Sequence, residues 1–428
     1  MGRIPKEEAG MQPALVAAFL GTLVPDTSEF HNPAFSRAGQ MAQQNLLLGM
    51  KHAGMPFSTI LVAEPMPSFP RGRRLWARGG RALLPEGMQA TFLRFINIVP
   101  LKHLSVGLAT LWHILLWAWH TRGATQRLVY TYNLSFPPAL FTWLGARLIG
   151  AKAVAMVYDI EIPRQTVPWS IGRAIDLWLH RLLMPRFDGL ILIAAAIAED
   201  FAPGKPYLCV EGGIRPESLA LAASAPTARQ QSDPFTVVSA GSLDEANGFL
   251  VLLEAFTRLP GNGYRLQIAG RGPLEPQIRA AAAKDPRIEY LGFLSFEEVQ
   301  TLYRSADVLI NMRLTQTIDT RYFFPSKLME YLASAVPVIS TCTGAVEKEF
   351  GSFVHLLREE APESLADAIC KVAALDPSTR ADMGRRAQQY MITHKTWDAQ
   401  ARRIIQYLRQ SVLASPSLPD GEEASCTA

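Results

Sequence analysis

Cysteine is scarce in this sequence: the 428 residues include four, at positions 209, 342, 370 and 426. Their spacing forms no C-x-x-C pair and no other pattern typical of metal ligands. The first residues are polar and charged, which is not the pattern of a secretory signal peptide. We therefore expect a protein of a reducing compartment, the cytoplasm, with no metal centre and no cofactor.

An excess of charge of one sign is also missing, since the formal net charge is +4. A charge this small does not by itself indicate a nucleic-acid partner. The longest apolar stretch without Asp, Glu, Lys or Arg, residues 105–121, contains His113 and is short for a membrane span. We expect neither nucleic-acid binding nor a transmembrane helix.

The composition is that of a large globular enzyme, with 49% hydrophobic and 19% charged residues. From residue 235 onward, short apolar runs such as FTVVSAG and YRLQIAG alternate with segments of helical period. This alternation predicts parallel βαβ units. Two helix starts are marked, one by a capping box of Ser295 and Glu298 and one by Pro273 after the loop AGRG.

The first half repeats this rhythm less regularly and predicts a second doubly wound sheet. Because the length exceeds what one core supports, we expect two domains, residues 11–218 and 234–395, with a cleft between them. The small and polar residues 219–234 are predicted to connect them. An amphipathic helix over residues 396–413 is expected to pack back on the first domain. The candidate strands of the first half are residues 14–20, 57–63, 127–131, 153–159 and 188–193.

The segment RYFFPSKLMEYLASAVPVIST, residues 321–341, is the most informative one. Ser326 is suited to a helix start, whose free N–H groups and positive dipole end favour a diphosphate. Lys327 adds a full positive charge there. Glu330 lies one turn later on the face of Ser326, where its carboxylate can accept hydrogen bonds from a ribose diol. The alternative is a structural helix with a capping serine and a solvated glutamate.

These residues resemble a known family. FPSKLMEYLASAVPVIST is similar to the donor-binding motif of retaining GT-B glycosyltransferases, in the family-4-like branch that assembles bacterial polysaccharides. The resemblance implies the GT-B fold, with two Rossmann-like α/β domains facing a cleft, and a nucleoside diphosphate sugar as substrate. It extends over the C-terminal half and, more weakly, over the N-terminal half through SRAGQ and VEGGIRPE.

Further site residues are implied by this resemblance. The first glycine turn of the C-terminal half corresponds to Gly241 and Ser242, and the nucleotide-base segment to Leu291, Gly292 and Phe293. Gly39 corresponds to the glycine loop of the N-terminal half, although it also suits a purely conformational role.

The sequence departs from the family at the diphosphate. Where members commonly have an arginine and a lysine in the first turn, this chain has Ser242 and Asn247, and Tyr322 replaces a second glutamate. Some cation is needed where no metal motif exists. We therefore expect Lys327 and Arg271, together with Arg313 or Arg321, to neutralise the leaving diphosphate. Solvated surface arginines are the alternative.

Two carboxylates in the N-terminal half are candidates for the acceptor side. Asp159 ends the predicted strand AVAMVYD and Glu161 follows it, and ligands bind outside the carboxyl ends of such strands. Together with Lys327 they form the predicted catalytic set. In retaining members of this fold, front-face displacement is the mechanism usually inferred, so a strong protein base is unnecessary. Either carboxylate could instead cap the following segment or pair with Arg164.

A basic segment, RGRRLWARGGRALLPEG at residues 71–87, precedes the tryptophan-rich run at 105–121. Together they predict a surface that contacts anionic lipid at the inner face of the cell membrane. The alternatives are a flexible loop beside a buried helix and, less suited to the motif, an RNA contact.

The function expected is sugar transfer, with retention of configuration, from a nucleoside diphosphate sugar to a glycan or lipid-linked glycan. Two alternatives stay open from the sequence: a sugar-nucleotide epimerase on the same fold, and a nucleotide-binding subunit without catalytic activity in a polysaccharide assembly complex.

Overall fold

A computed structural model gives the fold of the chain. It describes residues 14–25, 27, 30, 32, 34–135, 137–160, 171–214, 218–219, 233–317 and 319–414. Most of the predicted connection at 219–234 lies outside these described residues. The candidate residue Glu161 also lies outside them.

The N-terminal half forms an eight-stranded sheet in the order β3-β4-β2-β1-β5-β6-β7-β8. All neighbouring strands are parallel except β3 and β4, which form an antiparallel pair. The strands are β1 (Leu15–Gly21), β2 (Phe57–Val62), β3 (Trp76–Leu83), β4 (Gln89–Ile96), β5 (Gln126–Tyr132), β6 (Lys152–Val157), β7 (Gly189–Leu192) and β8 (Tyr207–Cys209). The helices are α1 (Arg37–His52), α2 (Leu101–His120), α3 (Pro138–Leu148), α4 (Ile171–Leu183) and α5 (Ala195–Phe201).

The C-terminal half forms a six-stranded, wholly parallel sheet in the order β11-β10-β9-β12-β13-β14. Its strands are β9 (Phe235–Ser242), β10 (Tyr264–Arg271), β11 (Ile288–Gly292), β12 (Val308–Asn311), β13 (Val338–Thr341) and β14 (His355–Leu357). The helices are α6 (Phe249–Thr257), α7 (Glu275–Lys284), α8 (Phe296–Arg304), α9 (Ser326–Ala333), α10 (Pro362–Ala374), α11 (Pro377–His394) and α12 (Trp397–Tyr407).

Both sheets are covered on each face, as parallel sheets require. Along β1, Ala17 and Phe19 point into one apolar core and Val16, Ala18 and Leu20 into the other. This alternation follows from the two-residue period of a strand. The predicted α/β fold with two doubly wound sheets is confirmed.

Two local predictions differ from the structure. The segment 71–87 contains β3, which pairs antiparallel with the following strand β4, and neither strand was predicted. The helix after AGRG begins at Glu275 with Pro276 in its first turn, so Pro273 precedes the helix rather than opening it. The capping box of Ser295 and Glu298 is confirmed, because each side chain accepts from the backbone N–H of the other residue.

Each sheet has one point where the chain reverses its direction of winding. In the N-terminal sheet this switch point lies between β1 and β5, and in the C-terminal sheet between β9 and β12. Crevices at the carboxyl ends of such strands are where open α/β sheets bind ligands. The two halves touch where Phe201, the last residue of α5, makes an edge contact with Tyr322, in the segment between β12 and α9.

Helix α12 crosses back to the N-terminal half. Trp397 and Ala401 pack so closely on α1 that a Cβ atom at Gly49 would lie 2.7 Å from the carbonyl oxygen of Trp397. Just before α12, the fully buried ammonium of Lys395 lies 2.9 Å from carboxylate oxygens of both Glu211 and Glu349. The two halves are therefore joined by an apolar contact and by a buried ionic one.

Candidate active site

Helix α9 begins at the carboxyl edge of the C-terminal sheet. Pro325 precedes it in an extended conformation, and no side chain caps its first turn. Ser326 is the first helical residue and is exposed rather than acting as the cap. A helix start without a side-chain cap leaves first-turn N–H groups for a ligand, and its dipole favours an anion.

The side chain of Lys327 extends from α9 across the end of β9. Its Nζ donates to the carbonyl oxygen of Ala240 at 2.8 Å. Burial and, to a smaller extent, the positive charge of Arg313 lower the pKa of Lys327 to about 7, against the opposing effect of Asp244 and Glu330. The ammonium is therefore close to two acidic side chains but not fully compensated by them.

Glycine is required where this lysine passes over the sheet. Gly241 has φ +138°, and a Cβ atom there would lie 2.5 Å from the Nζ of Lys327. Its register partner on β10, Gly270, has φ +140°, and a Cβ atom there would lie 1.8 Å from the carbonyl oxygen of Gly241. These two glycines keep the ends of β9 and β10 close enough for Lys327 to lie against the backbone.

Arg313 follows β12 and lies beside Lys327. Burial lowers the pKa of its guanidinium, while Asp244 and Tyr331 counteract this. Its Nε is inaccessible to solvent and has no hydrogen-bond partner among the described residues. The guanidinium lies 5.6 Å from the centre of the Phe323 ring, which is within range of a cation–π contact. Arg313 thus brings a second incompletely compensated cation to the switch point.

The turn after β9 is closed by its own hydrogen bonds. Asp244 accepts from the hydroxyl of Ser242 at 2.8 Å and from the backbone and side-chain amides of Asn247 at 3.0 and 2.8 Å. The Asn247 side-chain amide also donates to the carbonyl oxygen of Ser242. Asn247 therefore fixes the turn, and Ser242 stands exposed at its edge.

The predicted base segment ends strand β11 at the edge of the sheet. Gly292 has φ +71°, Leu291 is half-buried, and Phe293 has 64% of its surface exposed. The guanidinium of Arg271, at the end of β10, lies 4.7 Å from the centre of the Phe293 ring. Arg271 is exposed and stands at β10 rather than beside Lys327 at the switch point.

Glu330 is half-buried and lies one turn after Ser326 on α9. Its charge contributes to raising the pKa of the neighbouring Tyr303 and Tyr331, behind the larger effect of burial. The structure therefore brings Ser326, Lys327 and Glu330 together with Arg313 and Gly241.

Arg321 and Tyr322 take part in the contact between the two halves. The Tyr322 hydroxyl donates to the carboxylate of Asp200, at the end of α5. Arg321 pairs with Asp319 at 3.0 Å and with Asp200 at 3.4 Å. Burial and the hydrogen bond to Asp200 raise the pKa of Tyr322 to about 12. With two carboxylates beside it, Arg321 is less suited than Arg313 to neutralise a diphosphate.

On the opposite lobe, candidate residues follow the strands at the switch point. Gly39 lies in the first turn of α1, where its N–H donates to the Ser36 hydroxyl at 3.1 Å. A Cβ atom at Gly39 would lie 3.9 Å from the Tyr132 hydroxyl at the end of β5. The side chains of Gln40 and Gln43 hold the loop after β1 through its backbone at Val24 and Thr22.

Asp159 follows β6 and is exposed at the same edge. Asn133, at φ +55°, accepts from the backbone N–H groups of Tyr158 and Asp159 and donates to the Asp159 carboxylate at 3.4 Å. The rings of Tyr132 and Tyr158 stack beneath it, 5.7 Å apart. Asn133 and Tyr132 were not predicted from the sequence; the pattern YTYN at the end of an apolar strand is the signal that could have identified them.

Among the described ranges, no three His, Cys, Asp or Glu side chains cluster in a way that could hold a metal ion. Lys327, Arg313 and the start of α9 provide positive charge at this edge of the C-terminal sheet.

Part of this chain matches a family of known proteins. Residues 234–374 match the family described as Glycosyl transferases group 1, from just before β9 to the end of α10. The colanic acid biosynthesis glycosyltransferase WcaL of Salmonella typhimurium is 29% identical over 163 residues, which cover 36% of this chain and 40% of that protein. The match thus spans less than half of the relative's length.

Solved structures match over nearly the whole chain. The sucrose-phosphate synthase of Thermosynechococcus elongatus has a TM-score of 0.63 at 16% identity, covering 94% of this chain and 100% of that one. HepE of Anabaena, solved in complex with UDP, also has a TM-score of 0.63, at 15% identity, covering 92% of this chain and 99% of that one. The chain therefore has the GT-B fold of these structures, and its residues 234–374 are similar to the group 1 glycosyl transferases.

Proposed function

We propose that this chain is a retaining glycosyltransferase that moves a sugar from a nucleoside diphosphate donor to a glycan or lipid-linked glycan acceptor. The observation that carries the proposal is the pair of desolvated cations, Lys327 and Arg313, at the uncapped start of α9. Two like charges held together and away from water are unfavourable without an anion. A diphosphate supplies that anion, and its leaving-group charge grows during transfer.

In the proposed reaction, the bond between the sugar C1 and the diphosphate oxygen breaks, and the electron pair leaves with the nucleoside diphosphate. The acceptor oxygen forms the new bond to C1 on the same face, so configuration is retained. Its proton passes to the leaving phosphate. Lys327 and Arg313 stabilise the negative charge of the departing diphosphate.

Other residues are assigned to binding. Glu330 accepts from the ribose hydroxyls, and the backbone from Leu291 to Phe293 contacts the base, with Arg271 at its side. Ser326 and the turn at Gly241 and Ser242 contact the phosphates. Their position at the switch point of the sheet supports this assignment. On the other lobe, Asp159 and the α1 start at Gly39 orient the acceptor.

The relatives support the donor and acceptor classes. HepE was solved in complex with UDP, and WcaL is named for colanic acid biosynthesis. We propose that this chain likewise uses a sugar nucleotide in polysaccharide assembly. The proposed place is the cytoplasm, at the inner face of the membrane, which is in keeping with the free thiols of Cys209, Cys342 and Cys370.

The test is a turnover assay with UDP-, GDP-, ADP- and dTDP-sugars and a panel of glycan and lipid-linked acceptors, read by release of nucleoside diphosphate. Proton NMR of the product reports the anomeric configuration. One donor should give acceptor-dependent release with retention, and Lys327→Met should lose about 100-fold or more of the rate. Lys284→Met, at the exposed end of α7, is the matched control and should keep full activity.

Three other outcomes would overturn the proposal. Inversion at C1 would contradict the retaining mechanism. Epimerised donor without acceptor product would show a sugar-nucleotide epimerase. Tight donor binding without turnover on any acceptor would show a binding subunit.

A further inference from the structure

Helix α2 is apolar on two faces. Its inner face, with Val106, Thr110, Ile114 and Trp117, is buried against the sheet and α3. Its outer face carries a second apolar stripe, made of large side chains that are exposed. They are Leu101, Leu104, Leu108, Trp112, Leu115, Leu116 and Trp119. A helix that is apolar all round needs a second apolar environment.

The outer face is large and solvent-facing. Trp112 has 64% of its surface exposed and Trp119 has 68%. Single exposed apolar residues are ordinary, but a contiguous helical stripe of this length marks an interaction surface. Within the described ranges, no helix is long and apolar enough to cross a membrane.

The turn before β3 extends this surface at the start of α2. Phe69 bridges to Ile98, and the fully buried side-chain amide of Asn97 donates to the carbonyl oxygens of Pro67 and Arg74 at 2.8 and 2.9 Å. These bonds hold the turn rigidly against α2. Its exposed apolar side chains, Phe69 and Leu75, adjoin Ile98 and Val99.

Cations flank the apolar stripe at both ends. Arg71 and Arg73 are exposed in the turn, and Arg122 follows the other end of α2, where its guanidinium lies 5.3 Å from the centre of a Trp119 ring. None of the three has a carboxylate within ion-pair distance in the described part of the chain. Residues 66–125 contain eight arginines and lysines and one acidic residue, Glu86.

We propose that the outer face of α2 and the turn at Phe69–Leu75 dock on an anionic lipid bilayer, with α2 lying in the plane of the interface. Exposed leucines and tryptophans enter the boundary between headgroups and acyl chains, while the arginines contact anionic headgroups. Tryptophan is favoured at this depth of a bilayer. The uncompensated positive charge distinguishes this occupant from an apolar protein partner.

The orientation has a consequence for the cleft. Strand β4 is parallel to β2, so the start of α2 lies at the carboxyl edge of the sheet, which also carries Gly39 and Asp159. Docking in this way brings the acceptor side of the cleft toward the membrane surface. The docking proposal does not depend on sugar transfer, because vesicle binding is measured without donor or acceptor.

Flotation with vesicles tests the proposal on the full chain at physiological ionic strength. One set is phosphatidylcholine, and the other is an equal mixture of phosphatidylcholine and phosphatidylglycerol. The wild-type protein should float with the mixed vesicles. Trp112→Ser combined with Trp119→Ser should reduce binding about tenfold or more, and Arg71→Glu with Arg73→Glu should remove the preference for anionic lipid.

The matched control replaces two exposed apolar residues on helices of the other domain, Leu250→Ser and Ile392→Ser, and should float like wild type. Circular dichroism and thermal melting establish that each variant is folded. Failure of the wild type to float with either vesicle, or equal flotation of the tryptophan variant, would overturn the proposal. So would a wild-type dimer that the tryptophan substitutions dissociate without any vesicle binding, since the face would then join two copies of the chain.

Discussion

At the residue scale, the buried positive charge of Lys327 destabilises the folded chain when no ligand is bound. Its pKa falls from 10.5 in the unfolded chain to about 7 in the folded one, because burial removes water from the ammonium. The unfolded chain therefore binds more protons between these values, and folding becomes more favourable as pH rises through them. Below pH 7 the buried lysine is charged, and its full destabilising effect on the folded chain is present.

Lys327→Met should accordingly stabilise the protein in the absence of ligand. The midpoint of thermal unfolding should rise by a few degrees at pH 6, and the gain should shrink between pH 7 and pH 10.5. Scanning calorimetry at pH 6 and pH 9 measures it. A destabilised variant at pH 6 would show that Lys327 contributes to folding rather than to ligand binding.

Donor binding should also be linked to protonation of the same lysine. At pH 8 its ammonium is largely deprotonated in the free protein, and a bound diphosphate restores the charge, so binding should take up about one proton. Titration calorimetry in two buffers of different ionisation enthalpy measures this uptake. Lys327→Arg keeps the charge without titrating, so uptake should vanish while binding persists. Equal uptake in both proteins would assign the proton to another group.

The sequence predicts part of this site and not the rest. Ser326, Lys327 and Glu330 are neighbours on one helix, so their shared face follows from helical periodicity alone. The sequence selects Arg271 and leaves the choice between Arg313 and Arg321 open. The three arginines differ in their surroundings in the folded chain. Arg271 lies beside Phe293, Arg321 is paired with Asp319, and Arg313 lies beside Lys327.

At the scale of elements, the ends of β9 and β10 determine where Lys327 lies. Gly241→Ala should destabilise the fold by about 1–3 kcal/mol, because an L side chain is strained at φ +138°. The added Cβ also displaces Lys327, so the rate of transfer should fall further than the loss of stability explains. Denaturant unfolding and turnover measure the two effects.

Gly263→Ala is the control for this substitution, since a Cβ atom there would meet nothing within 4 Å. It should leave both stability and turnover close to wild type. If Gly241→Ala kept the wild-type rate, the position of Lys327 over β9 would not be required for sugar transfer.

The elements also show where sequence patterns fail. Central strands such as β9 are buried on both faces, so they appear as continuous apolar runs and were predicted. Strand β3 is the edge strand of its sheet, where Arg78 lies opposite Arg94 of β4, and Gly79 and Gly80 interrupt β3. An edge strand with arginines and glycines has no clear alternation of apolar and polar residues, so its own sequence does not indicate a strand.

At the scale of the whole molecule, Lys395 links three parts of the chain. Its ammonium contacts Glu211 after β8 and Glu349 after β13, and Tyr390 of α11 donates to Glu349. Burial alone would raise the pKa of Glu349, but the hydrogen bonds from Tyr390 and Lys395 hold it below its ordinary value. The cluster fixes the point where α12 crosses to the N-terminal half.

Lys395→Met should lower the free energy of unfolding by about 3–5 kcal/mol, because two carboxylates are left without their buried cation. Lys371→Met, on the exposed face of α10, is the control and should have little effect. Urea unfolding followed by circular dichroism measures both. Equal stability of the two variants would show that the cluster is hydrated in solution.

The central claim is that a nucleoside diphosphate binds where Lys327 and Arg313 meet at the start of α9. Its most direct test is titration calorimetry of UDP, GDP, ADP and dTDP against the wild type and the double variant Lys327→Gln, Arg313→Gln. At least one nucleotide should bind the wild type, and its affinity should fall by about 100-fold or more in the double variant, as expected for the loss of two charged hydrogen-bond donors. Unchanged affinity in the double variant, or binding of none of the four by the wild type, would contradict the claim.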